Sequence, residues 1–325
     1  MKKKVLIFAV MILVAGIFVG CGEASEDEVE GADTYITVAS GPTSGVYYPI
    51  GGGISSIIEQ DLGYRSSVQS TGATVENINL ILSDRAEVAI TMSDAVLQAY
   101  EGFGAFEDEA PKEELRGLMS LYPNYVQLVT TQDSGIESFE DLEGKQVGVG
   151  APNSGVEVNA RLMFEAHGMS YDDVREDYLD YGEAIDQMRN GQIDAAFVTS
   201  GIPNSTIMDL STTHDVKIIP IEGEGMDYLE DNYPFFTANV IPEDTYGNEE
   251  EIHTATIMNI LLVNKNLSEE DVYEITKGIF ENIETIHNTH SAAERHINLD
   301  SAFEGMIVPL HSGAEKYYEE IGVLE

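Results

Sequence analysis

Apolar and polar residues follow two alternating periods along this chain. Thr34–Ser40 alternates polar residues with Tyr, Ile and Val, which is typical of a strand. The apolar residues of Val46–Leu62 recur at helical spacing and predict an amphipathic helix. Further strands are predicted at 64–71 and 87–91, and further helices at 75–82 and from Ser93, a predicted N-cap. This β-α-β order indicates a parallel sheet.

The same order of elements recurs 110 residues later, together with a short sequence. Pro42–Val46 is PTSGV and Pro152–Val156 is PNSGV, and each joins a predicted strand to a predicted helix. The glycine of each turn is followed 27 residues later by a second glycine, Gly72 or Gly182. The second copy has predicted strands at 145–150, 175–181 and 194–199. The repeat predicts two similar α/β domains with a ligand cleft between them.

The last third of the chain does not repeat. It contains an apolar strand-like run, His253–Lys265, followed by helices that Ser268 and Ser291 are predicted to cap. We expect this tail to return to the first domain, so that Leu121–Thr131 and His253–Lys265 are the two crossovers and hinges. The predicted domain I is 34–125 plus 255–325, and the predicted domain II is 126–254.

The N-terminus has the pattern of an export signal. Lys2–Lys4 precede Val5–Val19, an apolar run too short to span a bilayer comfortably and typical of a signal peptide. Phe18–Cys21 resembles a bacterial lipobox, which implies a signal peptide at 1–20 and an extracytoplasmic protein anchored by lipid on Cys21. An ordinary cleavage site beside a free thiol is the alternative. The acidic segment 21–33 is predicted to be a disordered linker.

Composition excludes several classes of function. The formal net charge is −42, so nucleic acid and anionic lipid surfaces are poor partners. With a single cysteine, the chain has no intramolecular disulfide and, after lipidation, no catalytic thiol. The acids are spread along the chain, and we interpret this surface as an adaptation to high salt, where screening weakens repulsion.

The repeated turn predicts an anion site. A strand that ends in Pro-x-Ser-Gly and enters a helix directs free backbone N–H groups and the positive end of the helix dipole towards the same point. Such a terminus binds carboxylate or phosphate, and ligands of open α/β sheets lie at the carboxyl ends of the strands. Two ordinary capped turns without a ligand are the alternative. The turns Ser70–Thr74, Thr91–Ala95 and Thr199–Pro203 are expected at the same edges.

Several longer segments resemble the TAXI family, the solute-binding proteins of TRAP transporters. They include Gly45–Ser55, Thr71–Ala95, Asp133–Glu157 and Tyr233–Tyr246, and the likeness extends from about Thr34 to Tyr318. The resemblance implies a two-lobed periplasmic-binding-protein fold, type II-like, that closes on a small organic acid or an amino acid such as glutamate. It also implies delivery to a permease driven by an ion gradient, without enzyme activity or a cofactor.

The resemblance also implies which residues line the ligand. Tyr47 or Phe235 would cover its apolar part, although Tyr47 could equally pack in the core behind the turn. Backbone N–H groups and hydroxyls would hold carboxylate oxygens. The implied ligand-binding residues are Ser44, Gly45, Tyr47, Ser70, Thr71, Gly72 and Ser93 of the first domain, and Asn153, Ser154, Gly155, Ser200 and Phe235 of the second.

Other functions remain as alternatives. His287, His290 and His296 could suggest a metal site, but solvated surface histidines are the simpler interpretation. Arg161 could hold a carboxylate or face solvent. A serine hydrolase is a remote alternative, because neither Pro-x-Ser-Gly turn has the spacing of a nucleophile elbow. A solute receptor of an ABC transporter, or a sensor, would use the same binding fold.

The charge pattern predicts that stability depends on salt. We expect the melting temperature of the chain without its signal peptide to rise between dilute buffer and molar KCl, because screening reduces repulsion among the acids. Thermal unfolding followed by circular dichroism measures this. Equal melting temperatures in the two solutions would contradict the high-salt interpretation.

Overall fold

A computed structural model describes residues 34–324 of the chain. The described part is a mixed α/β structure with one ten-stranded sheet and eleven α-helices. Its elements are, in chain order, β1 (Tyr35–Ala39), α1 (Tyr47–Gln60), β2 (Arg65–Gln69), α2 (Thr74–Leu82), β3 (Val88–Met92), α3 (Ser93–Glu101), β4 (Leu115–Thr131), β5 (Gln146–Gly148), α4 (Gly155–Ala166), β6 (Arg175–Asp177), α5 (Tyr181–Arg189), β7 (Ala195–Ser200), α6 (Ser205–Ser211), β8 (Val216–Ile219), α7 (Gly223–Asn232), β9 (Thr237–Ile241), β10 (Ile252–Asn264), α8 (Glu269–Glu281), α9 (Ile283–His287), α10 (Ser291–His296) and α11 (Ser312–Glu320).

The predicted repeat is present in the sheet. Eight of its strands lie in the order β2-β1-β3-β10-β4-β7-β5-β6, while β8 pairs with β4 and β9 with β10 beside this path. Read from each edge towards the centre, each copy contributes three parallel strands in the order second, first, third. We call the first copy, β1 to α3, lobe I, and the second copy, β5 to α6, lobe II. Parallel strands covered on both faces need apolar side chains in both directions, and all five residues of β3 and all six of β7 are buried.

The two predicted crossovers are long strands that connect the lobes. β4 has 17 residues and β10 has 13, and they pair antiparallel with each other between β3 and β7. The predicted domain boundaries fall within or beside these two strands and remain a prediction. The pairing of β4 with β10 is irregular between Met258 and Ile260, where a bulge interrupts the register at Asn259.

The C-terminal helices pack beside the first copy. α8 and α9 contact α1, and α8 also packs against α11. Close approach is possible because Gly278 of α8 faces Leu62, where a Cβ atom would lie only 2.8 Å from the leucine side chain. Ser268 caps α8, as predicted, by accepting a hydrogen bond from the Asp271 N–H group.

Two predicted caps are wrong. Ser93 is the first residue of α3 and makes no capping hydrogen bond, because β3 ends at Met92 and leads directly into the helix. Ser291 is likewise the first residue of α10. Its helix is capped by the preceding His290, whose Nδ1 accepts from the Ala292 N–H group at 3.0 Å.

The predicted signal peptide, the lipid site at Cys21 and the acidic linker lie outside the described residues. Within residues 34–324, no helix combines the length and the apolar character that crossing a membrane would require.

The two lobes contact each other directly. The Asn153 carbonyl of lobe II accepts from the Glu76 N–H group of lobe I at 3.2 Å. Asn159 of α4 donates a hydrogen bond to Asp94 of α3 at 2.5 Å, and both side chains are fully buried. Because these contacts join the two lobes, we call this arrangement closed.

The buried Asp94 predicts a pH-dependent stability. Burial raises the pKa of Asp94 from 3.8 to about 6, against the opposing effect of its hydrogen bonds. Because the folded state holds this proton more tightly than the unfolded state, the protonated carboxyl favours folding fully below pH 3.8, and this stabilisation is lost as the pH rises through about 6. At pH 7.5 the ionised group therefore costs roughly 3 kcal/mol of stability.

We expect Asp94→Asn to be more stable than the wild type at pH 7.5, and to keep only about half of that advantage at pH 5. The amide removes the buried charge and can donate to Asn159 Oδ1, which has no partner. Urea unfolding at the two pH values measures this, with the exposed Asp108→Asn as a control for net charge. An advantage that does not change with pH would contradict the prediction.

Candidate ligand-binding site

A cavity lies where the two lobes meet. Its volume is about 20 Å³, which is room for about one water molecule. Lobe I, lobe II and β4 all contribute to its walls. The residues that line it are Pro42, Gly45, Val46, Tyr47, Ala73, Met92, Asn124, Val156, Tyr181, Thr199 and Ser200. A ligand with several non-hydrogen atoms therefore requires the lobes or the lining side chains to move apart.

The N-termini of two helices border this cavity. Val46 and Tyr47 belong to the start of α1, and Val156 is the second residue of α4. The first N–H groups of a helix have no acceptor within the helix, and the helix dipole adds partial positive charge there. The two termini come from opposite lobes, so they can act on a single ligand.

The two repeated turns differ in conformation. In lobe I the Gly45 N–H group donates to the Pro42 carbonyl at 2.9 Å, and α1 begins only at Tyr47. In lobe II α4 begins at Gly155, and Ser154 caps it by accepting from the Glu157 N–H group at 3.2 Å. The serine of the motif is therefore a helix cap in only one of the two copies.

None of the residues that line the cavity has a charged side chain. An anionic group would therefore be held by helix N-termini, hydroxyls and amides, rather than by an ion pair. The lining also includes Val46, Met92 and Val156, so one part of the cavity is apolar.

Two buried polar atoms at the cavity have no hydrogen-bond partner. They are Asn124 Oδ1 and Thr199 Oγ1, whose residues are 2% and 1% exposed. Buried polar atoms in folded proteins are nearly always paired. These two are therefore the groups that a ligand or a bound water is expected to satisfy.

Three of the predicted site residues line the cavity: Gly45, Tyr47 and Ser200. Tyr47 is buried and also forms part of the cavity wall, and its contact with a ligand remains a prediction. Its hydroxyl donates to Asn259 Oδ1 at 2.5 Å, and burial raises its pKa well above the usual range. The Ser200 hydroxyl accepts from Asn204 at 3.1 Å.

Five other predicted residues lie at contacts between the lobes or beside them. The Ser44 carbonyl accepts from the Ser205 hydroxyl of lobe II at 3.2 Å. Gly72 lies opposite the Pro152 carbonyl, and Gly155 lies against Met92 and Thr74. Asn153 contributes its carbonyl to Glu76, and Ser154 caps α4. They support the closed arrangement without lining the cavity.

The remaining four predicted residues are placed elsewhere. The Ser70 hydroxyl donates to the Gly41 carbonyl at 3.0 Å, and that of Thr71 donates to Asn77 at 2.7 Å, so both shape the turn before α2. Ser93 is buried at the start of α3. Phe235 packs against the rings of Tyr233 and Phe236 and does not reach the cavity wall.

Asn124, Tyr181 and Thr199 are lining residues that the sequence analysis did not select. Tyr181 precedes Gly182 as Thr71 precedes Gly72, so the repeat could have indicated it. Thr199 begins the segment Thr199–Pro203, which was expected as a turn at this edge, and it lies near the end of β7 in the structure. Asn124 is in the middle of a crossover strand, where no sequence pattern distinguishes it.

Arg161 and the histidines do not form the site. Arg161 pairs with Glu157 at 2.5 Å, its side chain is 65% exposed, and it is not a lining residue. His287 contacts the Ile297 carbonyl and His290 caps α10. Residues 34–324 contain no group of three or more His, Cys, Asp or Glu side chains arranged to hold a metal ion.

Comparison with solved structures identifies the fold. A protein from Bordetella bronchiseptica RB50 is similar with a TM-score of 0.52 and 14% identity, over 89% of this chain and 98% of that one. A structure described as a periplasmic transporter has a TM-score of 0.50 and 14% identity, over 89% and 93%. A putative L-cystine ABC transporter from Listeria monocytogenes has a TM-score of 0.49 and 13% identity, over 83% and 98%.

These similarities confirm the periplasmic-binding-protein-like fold, and at such low identity they show nothing beyond it. A family model matches residues 38–322, nearly the whole of the described chain. On that match, this chain belongs to the NMT1-like family.

Proposed function

We propose that the chain is an extracytoplasmic solute receptor that binds a small carboxylate or an amino acid, such as glutamate, in the cavity between its lobes. The main support is one observation. Two helix N-termini from opposite lobes border a single cavity in which Asn124 Oδ1 and Thr199 Oγ1 are buried without partners. The termini offer N–H groups to an anion, and the two side chains offer further hydrogen bonds.

Lobe closure is the proposed mechanism. The ligand bridges the termini of α1 and α4 and stabilises the closed form by its higher affinity for that form. β4 and β10 are the only strands proposed to bend, since they are shared by both halves of the sheet. A site with room for about one water must widen for a larger ligand, so the liganded form is expected to be slightly more open than this one.

The site favours an anion of low charge with a short apolar part. Backbone dipoles and neutral side chains compensate one carboxylate well, whereas each additional buried charge would need its own partner. Val46, Met92 and Val156 would contact the apolar part of the ligand. Tyr181 would close the site from lobe II, where its ring lies 3.5 Å from the position of a Cβ atom on Gly45.

The partner is proposed to be a membrane permease, and two kinds are considered. The resemblance to the TAXI family favours a TRAP-type permease driven by an ion gradient. The comparisons with known proteins favour the alternative, an ABC transporter, since they give the TRAP type no support and include a protein described as an ABC transporter. Cys21 is the proposed lipid anchor in either case. A gene for a multispanning permease beside this gene, with or without an ATPase gene, would distinguish the two.

A catalytic function is not proposed. In a serine hydrolase, Ser154 would need a neighbouring base that accepts its proton. Instead, its hydroxyl donates to the Ala151 carbonyl at 2.7 Å and caps α4. These bonds are those of a structural serine.

A ligand screen tests the proposal. We expect at least one amino acid or small carboxylate to raise the melting temperature of residues 22–325 in high-salt buffer, because a ligand that binds only the folded state stabilises it. Neutral sugars and polyols of similar size are the control. A shift with a neutral solute and none with any carboxylate would leave the fold standing and contradict the proposed ligand class.

Gly155→Asp should reduce affinity for the ligand found in that screen by at least about a hundredfold, because it places an unpaired charge in the closed interface. A Cβ atom there would lie 2.1 Å from Met92 and 3.2 Å from the Thr74 Cβ atom. The fold should persist, since an acid suits the first turn of a helix. Isothermal titration measures the affinity. Gly52→Asp, whose Cβ atom would meet nothing within 4 Å, is the control. Unchanged affinity in Gly155→Asp would remove Gly155 from the closure mechanism.

A further inference from the structure

A chain of buried hydrogen bonds fixes one side of the cavity. The Tyr47 hydroxyl donates to Asn259 Oδ1 at 2.5 Å, and the Asn124 amide nitrogen donates to the same oxygen at 3.1 Å. The Asn259 amide nitrogen donates to the Tyr122 carbonyl at 2.8 Å. Asn259 is fully buried, so water cannot replace these hydrogen-bond partners.

The donors and acceptors in this series of hydrogen bonds can be assigned in only one way. A backbone carbonyl is always an acceptor, so Asn259 must direct its NH₂ group towards Tyr122 and its oxygen away from it. That oxygen can only accept, so Asn124 must direct its own NH₂ group towards it. Reversing either amide would place two oxygen atoms, or two NH₂ groups, against each other.

The last atom in this series of hydrogen bonds is therefore an acceptor. Asn124 Oδ1 has no partner, its residue is 2% exposed, and Asn124 lines the cavity. A hydroxyl such as that of Thr199 can rotate and either donate or accept. The Asn124 oxygen has no such freedom, because the backbone of β4 at Tyr122 determines its role through Asn259.

A bulge in β4 accompanies this arrangement. Met258 pairs with Pro123 and Ile260 with Ser120, so two residues of β4, Leu121 and Tyr122, stand opposite Asn259 alone. On its other side, in β3, Asn259 stands opposite Met92. Beside the bulge, the Asn259 side chain reaches the Tyr122 carbonyl, Asn124 and Tyr47 together.

We infer that Asn124 is a specificity-determining residue that makes the receptor prefer acids carrying a hydrogen-bond donor beside the carboxylate. This inference rests on the proposed function. A 2-hydroxy acid or a 2-amino acid can donate to Asn124 Oδ1, whereas the corresponding 2-oxo acid would bring a second acceptor against it. A site built for a hydrogen bond discriminates strongly against a ligand that cannot form it, because its buried group is left unpaired.

Matched acids test the inference on residues 22–325 by isothermal titration. The probes are L-glutamate, 2-hydroxyglutarate and 2-oxoglutarate, and the shorter series alanine, lactate and pyruvate. In the series that binds, we expect the amino or hydroxy acid to bind at least about tenfold more tightly than the oxo acid. An oxo acid that binds as tightly as its two counterparts would overturn this inference and leave the proposed function intact. The absence of binding by every acid in both series, and in the broader screen, would overturn both.

Two variants separate Asn124 from the rest of the site. Leucine has a volume similar to that of asparagine and no acceptor. In Asn124→Leu, the ratio of affinities between the amino or hydroxy acid and the oxo acid should therefore fall to about threefold or less, while the oxo acid keeps or gains affinity. Thr199→Val removes a hydroxyl that can donate or accept, so it should weaken all acids and keep their ratio. A full preference in folded Asn124→Leu would overturn the inference. If circular dichroism shows that Asn124→Leu does not fold, the ratios of affinities measured for the wild type still test the inference.

Discussion

The antiparallel pairing of β4 with β10 is the constraint on which the rest of the structure depends. The two strands lie between β3 of lobe I and β7 of lobe II, so a single sheet connects both copies of the repeat. β3 ends at Met92, opposite Asn259, and β7 ends at Ser200, opposite Tyr125, so the carboxyl ends of the two copies meet near the middle of this pair. The pairing also brings Asn124 and Asn259 together at the junction, where Asn124 lines the cavity and donates a hydrogen bond to Asn259.

The charges of this protein and the chemistry of its cavity are separated in space. The chain has 58 acidic residues and 16 lysines and arginines, yet no charged side chain lines the cavity. A strongly negative surface would repel a carboxylate at long range, and high salt would screen that repulsion. Inside the cleft, backbone dipoles and oriented amides act over short distances and are little affected by salt. The proposed binding site therefore does not depend on ion pairs, and high salt would leave its interactions largely intact.

The sequence predicted the architecture more fully than the site. The repeated turn and its spacing indicated two β-α-β units, and the order of strands around β1 and β5 is the same. The spacing of apolar residues located the strands and helices of both copies, because burial on a sheet or beside it requires those periods. Outside the repeat, β8, β9, α7 and α11 were not predicted from the sequence. Local signals failed where the chain passes from strand to helix without a turn, as at Ser93. Asn124 could not have been found, because its role depends on a hydrogen bond to Asn259, which lies more than a hundred residues away in the sequence. The chemical identity of the ligand is likewise beyond sequence patterns, since helix termini accept many carboxylates.

We propose that one carboxylate bridges helix termini from the two lobes. A crystal structure of residues 22–325 with a bound carboxylate ligand tests this most directly. We predict carboxylate oxygens within about 2.7–3.2 Å of backbone N–H groups at the start of both α1 and α4, with Asn124 Oδ1 accepting a further hydrogen bond from the ligand. A ligand bound outside this cavity, or one whose carboxylate contacts fewer than both helix termini, would contradict the proposal.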